Sequence, residues 1–515
     1  MSSLYTTFNI AQQALLMNQA AMNVVSNNIA NMNTAGYSKQ RVDQVNCGYN
    51  EIRGLNQNYQ IGGGAQIGDI VRYRDKYLDT SFREQTSNLS FFTELYNMAS
   101  TIESSLNELS GSGLQDALSQ FFTASETLNS KPADSTARVN FVQKAQVLCT
   151  QFNQVATTLS GNRTATVGNT TDPQSIYNSK LYIELGDLNN KMDQLAQIND
   201  NIVKSSVSNS APNALLDQRD KLLDELSALA PIHITYNENN SINLSMNGIT
   251  LVEGNKANHF DVTMGDNNNP TTVQLESPDG TVLNPNMNNK FVRGSIAAYL
   301  EMGGNDANKL SYQNMLNKVN DLASEFADSF NAIQQFDDLA GNKALAIGFD
   351  ADGKQILSDY GGLPPLFDTE DGSPISALNI SVNNVIEGDH WRIAAARADV
   401  TAADYDEKAV GNAENVKLMS AVRKNGIVAL NNMSPETFLT TAVSNMGASI
   451  ETIKFNQKSQ AALYQSANTE RQSAMGVSLD EELVDLVKYQ RAYEASARVF
   501  SVASSIMEQI VNLGR

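Results

Sequence analysis

The sequence predicts a multidomain protein that combines α and β structure. It should have terminal coiled-coil helices at its two ends, an elongated bundle of long helices, and small antiparallel β domains inserted between them. Three observations predict this. Both ends carry apolar residues at a period of seven, the mark of a helix lying along another helix. The flanking segments carry apolar seams longer than the usual three turns. The middle alternates with period two and is punctuated by turn pairs. A chain of 515 residues is also too long for one core.

At the N-terminus, Leu4, Ala11, Asn18 and Val25 recur every seventh residue, and Phe8, Leu15, Met22 and Ile29 follow each by four. Residues 1–38 carry no charged side chain. An exposed helix face normally holds Lys and Glu, so Gln12, Gln13, Asn23, Asn27 and Asn28 predict an outer face that also meets protein. Asn33-Thr34-Ala35-Gly36-Tyr37 is a turn with glycine where the helix stops. Residues 38–75 read as extended, with Gly62-Gly63-Gly64 as a flexible break and a strand from Ile67 to Tyr73.

Helical period then returns in three stripes. The first runs Leu78, Phe82, Leu89, Phe92, Tyr96 and Ala99. The second runs Phe141, Ala145, Leu148, Phe152, Val155 and Leu159. The third runs Leu181, Leu185, Leu188, Met192, Leu195 and Ile202. Such seams pack nearly parallel, as an elongated bundle. The pattern changes at Ala230-Pro231. Ile232, Ile234 and Tyr236, then Ile242, Leu244 and Met246, alternate as strands, and Asn247-Gly248 and Asp279-Gly280 are hairpin pairs. One helix follows, from Tyr312 to Ile333. A second β region spans about 343–400, with turns at Asp352-Gly353, Pro364-Pro365 and Asp371-Gly372 and with Trp391 in a strand-like run.

From about Asn412 the chain reads as helical to its end. Gly476 permits a bend, and Ser478 with Glu481 makes a capping box. Leu479, Leu486, Tyr493, Phe500 and Met507 repeat the heptad, with Leu483 and Ile510 as further contact positions. The order helical, β, helical brings both ends together. The expected divisions are 1–38 with 478–515 as a terminal assembly domain, 39–230 with 401–477 as the bundle, 231–334 as a β-rich domain with its helix, and 335–400 as an outer β-rich domain.

Composition excludes several function classes. Net charge is -20 and the sequence pI is about 4.6. Binding nucleic acid or an anionic membrane needs clustered Lys and Arg, so neither partner is expected. No stretch approaches the about 20 apolar residues of a spanning helix. Two cysteines, Cys47 and Cys149, form neither a disulfide framework nor a zinc site. The first basic residue is Lys39, so the N-terminus lacks the positive region of a secretory signal. Export, if it occurs, should leave the N-terminus uncleaved.

No catalytic, cofactor-binding or metal-ligating set emerges. His233, His259 and His390 stand alone. Gly62 to Gly68 fails as a phosphate loop, because Ile67 and Asp69 stand where Gly and Lys belong. Asp350-Ala351-Asp352-Gly353 lacks the later ligands of a calcium loop, with Gln355 and Gly361 in their places. Asp480, Glu481 and Glu482 are accounted for by the positive end of their own helix.

Two terminal runs carry a resemblance. Ser26 to Gln40 resembles the N-terminal signature of the bacterial flagellar rod, hook and hook-associated proteins, through Asn27, Asn28, Ile29, Ala30, Asn31, Thr34, Gly36, Tyr37 and Gln40. Leu483 to Val499, with Tyr489-Gln490-Arg491-Ala492-Tyr493, resembles their C-terminal signature. Gly36-Tyr37-Ser38-Lys39-Gln40, Leu215-Leu216-Asp217-Gln218-Arg219-Asp220 and Gly476 to Glu482 resemble the members that make the first junction between hook and filament. Ser478 stands where Asn is frequent and Lys39 where Arg is. Residues 335–400 carry little of the likeness.

The resemblance implies a structural, non-enzymatic subunit of the extracellular flagellum, without cofactor, exported uncleaved by the flagellar type III pathway. It implies self-assembly into a ring, contacts with the hook protein and the second junction protein, and an export chaperone on the C-terminal helix. It also implies an inner layer built from both chain ends. The assembly contacts are then Leu4, Phe8, Leu15, Met22, Val25, Ile29, Leu479, Leu483, Leu486, Tyr493, Phe500, Met507 and Ile510. Exposed seams should order only when a neighbour buries them. The alternatives are another axial subunit, hook protein or flagellin-like, and an enzyme or metal-dependent factor carried in the β insertions.

Overall fold

The computed structural model describes residues 2–53, 58–106, 113–207, 212–266, 269–336, 344–350, 354–358, 362–399, 402 and 410–513. The side chain of Leu4 and the turn expected at Asp352-Gly353 lie outside the described parts.

Helix α1 (Ser2–Asn31) contains neither Gly nor Pro. It ends in the expected turn, where Gly36 has φ +84°, a conformation that costs glycine little. Strands β1 (Gln40–Asn46), β2 (Tyr49–Arg53), β3 (Asn58–Gly62) and β4 (Ala65–Arg72) form one antiparallel ribbon. β1 pairs with β4 from Gln40↔Arg72 to Asn46↔Ala65, and β2 pairs with β3. Gly62 to Gly64 does not break the ribbon: Gly63 N–H donates to the Gly48 carbonyl at 2.7 Å and Cys47 N–H to Gly64 at 3.0 Å. The ribbon lies on α1 through a small core of Ala21, Val24 and Val42.

The bundle contains α2 (Lys76–Leu106), α3 (Leu114–Ser130) and α4 (Ser135–Val167), then the single turn α5 (Gln174–Tyr177), α6 (Lys180–Val207) and α7 (Asn213–Leu229). The stripes on α4 and α6 are buried along their whole length. Asp134 caps α4 by accepting from the Thr136 amide at 2.8 Å.

The β segment begins with a meander of β5 (His233–Tyr236), β6 (Ile242–Met246), β7 (Ile249–Glu253) and β8 (Lys256–Ala257). A three-stranded sheet follows, with β10 (Thr271–Glu276) between β9 (His259–Met264) and β11 (Val282–Asn284). Asn247 and Gly248 both have positive φ, as a primed hairpin turn requires. Both sheets are fastened to α6 by asparagines. Asn199 bonds the amide and carbonyl of Ile242 and the carbonyl of Gly254, and Asn189 bonds the amide and carbonyl of Phe260. One apolar cluster runs from the bundle helices into these strands and on to α8 (Ser295–Gly303) and α9 (Tyr312–Gln334).

The region after α9 holds β12 (Ala344–Phe349) between β13 (Gln355–Leu357) and a later strand, and the short pair β14 (Phe367–Asp368) and β15 (Ser381–Val382). The turn α10 (Asn384–Gly388) comes before β16 (Ala396–Asp399), which is that later strand. Trp391 is not in a strand. It sits in a 3-10 turn, His390–Arg392, because the Asp389 side chain accepts from the Trp391 amide and captures it locally.

The chain returns through α11 (Glu414–Ala421) and an irregular loop to α12 (Pro435–Met475), which lies along α2. Ser434 and a first-turn proline start α12. The bend at Gly476 leads to α13 (Leu479–Leu513), which packs along α1. The capping box expected there is not formed among the described residues. Lys39 takes the Glu481 carboxylate at 3.0 Å, and Ser478 accepts the Glu482 amide through its backbone carbonyl.

Candidate assembly joint

Both chain ends meet in one two-helix rod; one polar layer fastens its arms together and a second fixes the adjoining ribbon to the bundle. Along the rod, the Phe8 and Phe500 rings stand 4.4 Å apart. Ala11, Asn18, Ala21, Val24 and Val25 are buried on α1, and Ala503 on α13. Leu15, Met22, Ile29, Leu486, Tyr493 and Met507 are half-buried. Leu479, Leu483 and Ile510 lie outside the seam and are exposed. They join Val484, Val487, Val499, Val502 and Ile506 as exposed apolar side chains of α13. A helix buried on one face should carry charge on the other. Here exposed valine and isoleucine stand among Lys488, Arg491, Glu494 and Arg498.

The first polar layer centres on Asn28, which is 1% exposed. Its Nδ2 donates to the Gln40 carbonyl and to Glu482 Oε2, both at 2.9 Å. Its Oδ1 accepts from the Tyr37 hydroxyl at 2.8 Å and the Gln40 amide at 3.0 Å. The side-chain amide thus makes four hydrogen bonds, its full complement. Lys39 Nζ reaches Glu482 at 3.1 Å and Glu481 at 3.0 Å. Neighbouring motif residues build the turn: Asn31 donates to Asn27, and Thr34 donates to Asn31. Gly36 sits against Lys221 of α7, where a Cβ would come within 3.3 Å of the lysine Cβ. Ala30 is on the exposed side of the helix.

Beneath this clasp lies a network of buried ions from five segments. Arg72 of β4 bonds Asp217 at 2.6 Å and Asp220 at 2.7 Å. Arg74 bonds Asp79, and Arg83 bonds Asp224 at 2.7 Å. Arg471 of α12 bridges Asp79 at 2.9 Å and Asp224 at 2.8 Å. Arg219 adjoins Asp220 and donates to the Asn240 carbonyl. Ser38 links the two layers, because its hydroxyl donates to Asp217 at 2.6 Å.

The electrostatics follow from this geometry. Burial works to raise the Asp220 pKa, yet Arg72, Arg74, Arg219 and Arg83 hold it below its usual value. Burial works to lower that of Arg83, but Asp224, Asp79 and Asp220 hold it up. Burial, then Asp217 and Glu482, pushes Tyr37 up to about 12, so its hydroxyl stays a donor to Asn28. Burial opposes the charge on Lys39, and Glu481 and Glu482 restore it.

Much of the joint escapes a reading of the sequence alone. Glu482 reads there as a helix-end charge, whereas it is the buried partner of Asn28. Asp217, Arg219 and Asp220 appear as a motif without a mechanism. Arg72, Arg74, Asp79, Arg83, Asp224 and Arg471 give no sign beyond the spacing Asp79/Arg83 and Asp220/Asp224, one turn apart. Among the described residues there is no cluster of three potential metal ligands, and no helix is long and apolar enough to cross a membrane.

Three family profiles match the chain in sequence order, and together they take in more than half of it. "Flagella basal body rod protein" covers residues 8–37, "Flagellar hook-associated protein FlgK helical domain" 99–347, and "Flagellar basal body rod FlgEFG protein C-terminal" 470–513. Flagellar hook-associated protein 1 of Bacillus subtilis is 26% identical over 534 residues, 99% of either chain. Its namesakes in Salmonella typhimurium and Escherichia coli are each 26% identical over the full length of both chains. The chain is similar along its whole length to flagellar hook-associated protein 1. The structure of the flagellar hook junction protein FlgK from Burkholderia pseudomallei shares its fold, with a TM-score of 0.56 at 16% identity, over 78% of this chain and 100% of that one. The two terminal profiles fall on the two arms of the joint. The first contains α1 from Phe8 on, with Asn28 and Tyr37. The second contains Arg471, Glu482 and nearly all of α13.

Proposed function

We propose that this chain is a structural, non-enzymatic subunit of the junction between flagellar hook and filament, polymerising through its paired terminal helices. The observation that carries this reading is the rod itself. Its α1 arm has no charged side chain, its α13 arm keeps exposed apolar side chains, and Asn28 and Glu482 fasten the two arms together. A monomer gains nothing from exposed apolar side chains, whereas a ring buries them against the next copy. The hook protein lies on one side of such a ring and the second junction protein on the other. The chain reaches this place uncleaved through the flagellar export pathway, with a chaperone covering α13 beforehand. The family's printed names, hook-associated protein 1 and hook junction protein, support this placement.

Deleting residues 1–30 or 480–515 tests the proposal. The remaining bundle should stay folded and soluble, by circular dichroism and thermal melting, and cells carrying it should shed their filaments. Filaments that stay attached with either truncation contradict the proposal.

A further inference from the structure

We propose that Asn425, in the loop between α11 and α12, is a site of spontaneous deamidation, a covalent modification that lengthens the main chain ahead of α12. The sequence holds two Asn-Gly pairs, Asn247-Gly248 and Asn425-Gly426. Glycine has no Cβ, so its amide nitrogen lies open to the side chain before it. The fold treats the two pairs differently. Asn247 and Gly248 sit at φ +47° and +81° in a hairpin closed by the Met246 and Ile249 pair. The Asn247 Nδ2 also donates to the Lys290 carbonyl at 2.6 Å. Attack there requires the turn to open and the side chain to leave its partner. Asn425 is exposed, and its amide donates to the Ala421 carbonyl at 2.9 Å. Among the described residues, neither its side chain, nor its carbonyl, nor the Gly426 amide has a hydrogen-bond partner.

The reaction needs no partner but water. The Gly426 amide gives up its proton, and its nitrogen attacks Asn425 Cγ. An N–Cγ bond forms, the Cγ–Nδ2 bond breaks, and ammonia leaves with that proton. Lys424, exposed and next in sequence, favours the negative charge that develops on the nitrogen. Water then opens the succinimide ring. Attack at Cγ gives aspartate, and attack at the main-chain carbonyl gives isoaspartate, whose backbone runs on through Cβ and Cγ. The loop has no slack for that extra length. A Cβ on Gly426 would already strike the Asn432 carbonyl oxygen. Asn431 and Asn432 both hold φ +58°. Ile427 donates to the Met433 carbonyl and Asn432 to the Ile427 carbonyl, each at 3.0 Å. Leu430, 1% exposed, plugs the loop into the core. A longer backbone at Asn425 therefore opens these contacts just before α12 begins.

The test is peptide mass spectrometry on the full-length chain kept at mildly alkaline pH, with digestion in acid to stop the reaction. Asn425 should convert about tenfold faster than Asn247, whose turn and hydrogen bond must first be undone. The main product should be isoaspartate, and in denaturant the two sites should convert at similar rates. Equal rates in the folded chain overturn the proposal. A gap that persists unchanged in denaturant also overturns it, because the difference then lies in the neighbouring sequence and not in the fold. Asn425→Gln removes the fast site and serves as the unconverted reference. Against it, the converted chain should show faster hydrogen exchange at Ile427 and Asn432, with α4 and α6 unchanged. Exchange that stays the same after conversion overturns the claim that the longer backbone opens the loop.

Discussion

Asn28 and Asp220 do different work at the joint. Asn28 is neutral and completely satisfied, so its removal exposes the groups it serves. Asn28→Ala leaves the Gln40 backbone and the buried Glu482 carboxylate short of partners, at a cost of about 3 kcal/mol. Hydrogen exchange should report it as faster exchange in α1 and α13, with α4 and α6 unchanged. Asp220 is charged and faces four guanidiniums. Asp220→Asn breaks a buried network and should destabilise the fold by about 4 kcal/mol in chemical denaturation. The sign of its pH dependence follows from its depressed folded-state pKa. The stabilisation is complete above the ordinary aspartate pKa of about 3.9 and is lost as pH falls below that value towards the folded-state pKa. The parent should therefore lose stability steeply below about pH 4, and Asp220→Asn should lose less over the same window.

At the scale of elements, helices and hairpins were legible and their polar fastenings were not. Period alone locates α4 and α6, because their stripes are buried from end to end. Asn247-Gly248 announces its hairpin, since only such a pair tolerates two consecutive positive φ angles cheaply. Trp391 misleads because a capping aspartate overrides its apolar neighbours. The capping box at Ser478 misleads because Lys39, more than four hundred residues away in sequence, takes the glutamate. The ion network is hidden for the same reason, as Arg72 and Asp217 are joined only by the fold. The exposed apolar residues of α13 have their own prediction. Val502 is 58% exposed, so Val502→Lys should leave monomer stability within about 0.5 kcal/mol of the parent. The same substitution places a charge in the proposed subunit contact, and export assays with motility counts should show secreted protein but few attached filaments.

On the scale of the whole molecule, the chain is a closed loop of function: both ends leave one bundle side by side, and the β segments occupy the intervening sequence. The bundle and the first two sheets share one apolar core, whereas the rod has only a thin seam and its polar clasp. Stability is therefore unevenly distributed, with the rod at the low end. That suits a subunit whose ends gain their remaining burial from neighbours. The most direct measurement is an electron-microscopy map of the assembled hook–filament junction containing this chain. The account predicts α1 and α13 of each subunit side by side, Phe8 against Phe500, with Val499, Val502 and Ile506 covered by an adjacent copy. A map with the two ends apart, or with those three residues facing open water, contradicts it.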